Sequence, residues 1–183
     1  MTALDDLESA RALLAFASWA GPSALAVAIE DALAPPGPTG SPSVINAQAA
    51  AYAKTAAQCG VVAKDISVVA TSSLPQAWKG AVAETAAQAV NAVAEDVQNM
   101  RTVLDRVVPA LRNWASDLTA AQAGDAAGIA ILNEAKSSLG FLGIEFWHLP
   151  TAIQQATDGL DMRIAAAQVA KGNGTSTASL LNQ

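Results

Sequence analysis

The chain has 183 residues, a formal net charge of −6 and a pI near 4.6; 52% of its residues are hydrophobic but only 4% are aromatic. That length holds one domain with a core, or one elongated bundle, and excludes two large domains. An acidic balance without a cluster of Lys and Arg excludes nucleic acid as a partner and disfavours anionic membrane surfaces.

Taken in order, Thr2 is placed to cap a first helix whose opening turn holds Asp5 and Asp6, acids favoured at the positive helix end. Leu4, Leu7 and Leu14 give it an apolar face. Trp19-Ala20-Gly21-Pro22 turns the chain, and Pro22 opens a second helix with Leu25, Ile29 and Leu33 on one side. Residues 1–34 thus form a leading helical pair. Four prolines within residues 35–42 exclude both helix and central strand. This linker either tethers the leading pair loosely or lays it across the following hairpin as a strap. Residues 13–17 are apolar and residues 24–26 resemble a cleavage site, but Asp5, Asp6 and Glu8 stand where a secretory leader is basic. Gly21-Pro22 also interrupts the apolar run short of the roughly 20 residues a membrane span needs. Neither a cleaved leader nor a membrane span is expected.

Residues 43–72 carry Ile45, Gln48, Tyr52, Thr55, Cys59, Val62, Ile66 and Val69 at alternating spacings of three and four, the face of one helix. A break follows at Leu74-Pro75-Gln76-Ala77-Trp78-Lys79-Gly80. Beyond it Val82, Ala86, Val90, Val93, Val97, Met100, Leu104, Val107, Leu111, Trp114 and Leu118 keep the same rhythm for about five heptads. Two long helices joined by a tight corner make a hairpin over residues 43–120, and such a hairpin needs a further partner to bury its seams. Val90, Val93, Val97, Met100 and Leu104 are the candidate partner seam. Pro75, Trp78 and Gly80 shape the corner, with the indole placed to cover the bundle end and Gly80 letting backbone pass close beneath it. Pro109 predicts a kink or a helix boundary near Val107 and Val108.

In residues 121–171, Gly124-Asp125 reads as a break and an N-cap, and Ile129, Leu132 and Leu139 as a helix ending at Gly140. Residues 139–150 form an aromatic connection. Phe141, Leu142, Ile144, Phe146 and Trp147 either plug a bundle end or stand as an apolar tip for a chaperone, another partner or a bilayer. A last helix bears Ile153, Leu160 and Ile164 and runs to Lys171, and residues 172–183 read as a flexible tail. The fold class is therefore all-α, an elongated bundle built on an antiparallel hairpin with flanking helices.

The residues that carry chemistry are sparse. One cysteine, Cys59, reads as a small seam residue, and one histidine, His148, rules out a multi-histidine metal site. Carboxylates are scattered, and no base stands in a pattern that would activate a serine. The expectation is a non-enzymatic chain with no cofactor and no metal.

The helix, Trp-Lys-Gly corner and alanine-rich helix over residues 43–118 resemble the WXG superfamily of type VII (ESX-like) secretion substrates of actinobacteria and firmicutes, with Trp78 and Gly80 matching its motif. The added helices resemble in outline the larger PE, PPE and toxin-leader relatives. The resemblance implies export without a cleaved leader, from the cytoplasm to the cell surface or medium, by way of a membrane secretion ATPase. It also implies pairing of hairpins into four-helix bundles, as a homodimer or with another WXG-like protein, and a chaperone contact in the larger relatives. Family members carry a Tyr-x-x-x-Asp/Glu signal after the second helix; the one tyrosine here, Tyr52, is in the first. Two alternatives stand beside this reading: a helical pore-forming or membrane-active protein inserting residues 141–149, and the N-terminal trafficking domain of a longer toxin.

Overall fold

A computed structural model describes residues 2–141 and 149–181. Among them the chain is all-α, without a strand: α1 (Ala3–Ala20), α2 (Pro22–Leu33), α3 (Pro42–Val68), a π-helical turn (Val69–Ser73), α4 (Leu74–Ala77), α5 (Ala81–Phe141) and α6 (Leu149–Leu181). The contacts divide it into two compact units. One comprises α1, α2, α6 and the part of α5 from Ser116 onward, and the other comprises α3, α4 and α5 up to Ala115. The leading pair is therefore not a loose appendage. It shares one core with the C-terminal helices.

In that first unit α1 starts on a capping box, with Thr2 N donating to Asp5 Oδ2 at 2.7 Å and Asp5 N donating to Thr2 Oγ1 at 3.3 Å. The backbone N–H of Thr2 and then its side chain hold the Asp5 carboxyl below its usual range. This cap is complete above the ordinary carboxylate pKa and is lost as pH falls through the depressed value. Gly21 ends α1 at φ +99, and Pro22 opens α2. Leu7, Ala10, Leu14 and Ala17 line the inner face of α1 and meet Leu25, Ala28, Ile29 and Ala32 of α2, Leu132 and Ala135 of α5, and Ala152, Ala156, Leu160 and Ile164 of α6. Each buried leucine or isoleucine contributes about 1.5–3 kcal/mol. Where α5 crosses α6, Gly128 and Gly159 face each other. A Cβ on Gly159 would sit 2.8 Å from the Gly128 carbonyl oxygen and 3.1 Å from Leu132 Cγ, so the two backbones touch because neither residue has a side chain.

The one fully buried cation among the described residues lies beside this crossing. Arg163 is 1% exposed. Its Nε donates to Asp125 Oδ1 at 2.8 Å, Nη2 donates to the Pro35 carbonyl at 2.6 Å, and Nη1 donates to the Ala32 carbonyl. The guanidinium thus satisfies a carbonyl in the last turn of α2 that the helix leaves orphaned, and a second one in the proline-rich segment. A Cβ on Gly37 would collide with the Asp125 carboxylate, and Gln122 Nε2 donates to the Pro38 and Gly40 carbonyls at 3.2 and 2.9 Å. The segment expected to be a linker is fastened to α5 and α6.

At Pro109 the boundary is absent, the helix expected to end at Gly140 ends one residue later, and two local expectations, the break at Gly124 and the flexible tail, are overturned. α5 runs through Pro109 without a boundary, its Val107 and Val108 both buried there. It also runs through Gly124, where Ala121, Asp125 and Gly128 are packed away from solvent and outweigh a weak stop signal. Helix therefore reaches Phe141, into the stretch expected to be the aromatic connection. The tail expected to be flexible is helical to Leu181, with the hydroxyls of Thr175 and Ser176 donating to the Gly172 carbonyl and Thr177 buried.

Replacing Arg163 by Ala should cost about 3–5 kcal/mol in urea unfolding, because Asp125 is left as an uncompensated buried charge. Arg163→Lys should recover less than half of that loss, since an ammonium cannot present the fork that reaches three acceptors.

Candidate functional site

The candidate site is the hairpin of the second unit, its corner and its apolar stripes. α3 and α5 pack against each other. Contact runs antiparallel, with Ile45, Ala49 and Tyr52 beside Val107, Leu111 and Trp114, and Gly60 beneath Arg101. The buried residues of α3 are Ala49, Ala56 and Ala63, with Cys59 between them, and Ala70 of the π-helical turn continues the same heptad spacing. On the part of α5 up to Ala115 the buried positions are Ala83, Ala94, Val107, Val108, Leu111 and Ala115. Small residues on both sides let the two backbones approach closely, and this selects which stripe turns inward.

The candidate seam divides accordingly. Val90, Val97 and Leu104 are half-buried on the inner side, whereas Val93 and Met100 are exposed at 51% and 56%. Val82 and Val103 continue the exposed stripe on α5, and Val44, Val61, Val62 and Val68 of α3 and Val69 of the π-helical turn are exposed. Alanine occupies the position next to two of the outward residues, at Ala83 and Ala94. Each inner d-like residue is thus one place later than its predicted counterpart at Val82 and Val93. Arg101 falls in the inner register as well. It crosses Gly60, where a Cβ would sit 2.9 Å from Arg101 Nη1, and it pairs with Asp105 at 3.5 Å.

At the corner the π-helical turn runs into α4, in whose first turn Pro75 lies, and Trp78 N donates to the Leu74 carbonyl at 2.8 Å. Trp78 then turns extended, with φ −128 and ψ 152, and Gly80 takes φ +91. The Gly80 carbonyl accepts from Ala83 N at 3.0 Å and Glu84 N at 3.3 Å, which starts α5. Two expectations change here. The indole is 54% exposed and does not seal a bundle end, and no atom lies within 4 Å of a Cβ built on Gly80. Gly80 is needed for its positive φ and not for close passage.

Phe141 closes α5; its side chain, with Leu142, Ile144, Phe146, Trp147 and His148, lies outside the described residues. Among the described residues no group of three or more His, Cys, Asp and Glu is placed to hold a metal ion. What the hairpin offers chemically is apolar surface. Compared with protein families, with curated proteins and with solved structures, the chain gives no match.

Gly80→Ala should destabilise the hairpin by more than about 1 kcal/mol, because alanine is strained at this φ. Trp78→Ala, at a half-exposed side chain, should cost less than that in the same urea titration.

Proposed function

We propose that the chain is a helical interaction module of a type VII secretion system, exported without a cleaved leader and acting through association of its α3–α5 hairpin with a second hairpin. The observation that carries this reading is the sorting of side chains in the second unit. Alanines face inward while Val82, Val93, Met100 and Val103 are left in solvent along one helix. Scattered exposed apolar residues are ordinary, but a periodic row on a two-helix element is the surface a four-helix bundle buries. The Trp78-Lys79-Gly80 corner, with Gly80 holding a left-handed conformation that starts α5, supports the WXG resemblance at the level of backbone. The partner is a second copy or another WXG-like chain, and the secretion ATPase is the export contact.

Sedimentation should give a species heavier than the 18.5 kDa monomer, alone or on addition of the partner hairpin. The double substitution Val93→Glu and Met100→Glu should weaken this association at least tenfold, about 1.4 kcal/mol, with helicity unchanged. Trp78→Ala should lower export or partner binding more than helicity; an equal loss of both returns Trp78 to a turn residue. Export itself fails as a claim if deleting the secretion ATPase leaves the extracellular level unchanged.

A further inference from the structure

The exposed stripe of α5 is not purely apolar. Val93, Asp96, Met100, Val103 and Arg106 follow one another at helical intervals of three and four, so Asp96 sits between Val93 and Met100, and Arg106 stands at the margin just past Val103. All five are exposed. Among the described residues neither Asp96 nor Arg106 is in an ion pair, whereas Arg101 is held to Asp105 and crosses Gly60. A surface that covers Val93 and Met100 therefore has to bring a cation to Asp96, because a carboxylate buried without a partner is strongly disfavoured.

The charge of the helix is also divided along its length. From Ala81 to Met100, α5 carries Glu84, Glu95 and Asp96 and no Lys or Arg; from Arg101 to Ala115 it carries Arg101, Arg106 and Arg112 against Asp105 alone. One such helix thus holds both halves of a complementary pair. Laid parallel on another copy, it sets acid on acid and base on base. Laid antiparallel, it sets each half on its opposite, which is the arrangement electrostatics selects. Of the three arginines, Arg101 is engaged in the inner register and Arg112 is turned away from the stripe by the helical period, which leaves Arg106 to meet Asp96.

Resting on the hairpin-association reading, we propose that the partner is a second copy of this chain, its α5 antiparallel to the first about a two-fold axis level with Arg101. Residue 101 is midway between Asp96 and Arg106. The axis therefore places Asp96 beside Arg106 of the second copy, and repeats that contact on its other side. It also sets Met100 against Val103 of the second copy. The long arginine stem reaches from the margin of the stripe to the carboxylate at its middle. Such a contact uses the same patch on both copies and closes as a dimer.

The test is sedimentation equilibrium of the full chain by itself, with circular dichroism of every variant. Wild type should reach twice the 18.5 kDa monomer mass. Asp96→Arg and Arg106→Asp should each weaken self-association about tenfold or more, because each sets two like-charged contacts across the axis. The chain with both substitutions should return to within about threefold of wild type, and the two single variants mixed together should form a mixed dimer. Single variants that associate as wild type does, which parallel pairing predicts, overturn the proposal. A double variant no tighter than the single ones overturns it as well, and its rescue separates charge pairing from a loss of fold. A wild type that stays monomeric overturns the second copy as partner, and export then decides the fate of the hairpin reading. If Val93→Glu with Met100→Glu still lowers export, the hairpin pairs with a different chain; if export is unchanged, that reading falls too.

Discussion

Close approach of helices through small residues is the constraint on which both units depend. With aromatic residues at 4% of the chain, little volume is available to fill wide gaps between helices, so the backbones must come together instead. In the second unit this is done by Ala49, Ala56, Ala63 and Ala70 facing α5, and in the first by Gly128 against Gly159, where each glycine leaves room for the other's carbonyl. The larger aliphatic residues are thereby distributed unevenly. The first unit gathers Leu7, Leu25, Ile29, Leu132 and Leu160 into a four-helix core. The hairpin has two helices; it buries Val107, Val108 and Leu111 but leaves Val82, Val93 and Val103 of α5 and Val44, Val61, Val62 and Val68 of α3 outside.

The same closeness makes the buried polar cluster of the first unit costly to build and hard to vary. Arg163 enters where glycines have already brought α5 and α6 together, and it reaches Asp125 and the two carbonyls at Ala32 and Pro35. A buried pair of this kind is weak evidence for net stability, because desolvation offsets much of the attraction. Its consequence is geometric. Residues far apart in sequence are fixed in one register, and the proline-rich segment has one seat.

Much of this was legible in the sequence. The all-α class, the corner at residues 74–80, the turn at Gly21-Pro22 and the core roles of Leu7, Leu25, Ile29, Leu132, Leu160 and Ile164 follow from spacing and turn chemistry. Most of the inner register of α5 follows as well, from Val90, Val97 and Leu104 to Val107 and Leu111; it fails at Val82 and Val93, because a pattern reading favours the larger of two adjacent apolar residues over Ala83 and Ala94. Burial reverses that preference when helices sit close. The boundary allowed for at Pro109 and the breaks expected at Gly124 and Gly172-Asn173-Gly174 were local signals, and neighbouring residues that pack or donate back to the helix outweigh them. Arg163 carried no signal of its own. An arginine on a helix reads as solvated until Asp125, Ala32 and Pro35 are brought around it, and those partners are 38, 131 and 128 residues away in sequence.

The central claim is that in the hairpin small residues hold the fold while large ones await a partner. It is tested most directly by measuring stability and association together for one substitution on each side. Ala56→Leu, on the inner face, should lower stability by about 1–3 kcal/mol through overpacking. Val93→Ser, on the outer face, should leave stability within about 0.5 kcal/mol of wild type and weaken association. Loss of stability from Val93→Ser with association intact, and tolerance of Ala56→Leu, would contradict the account.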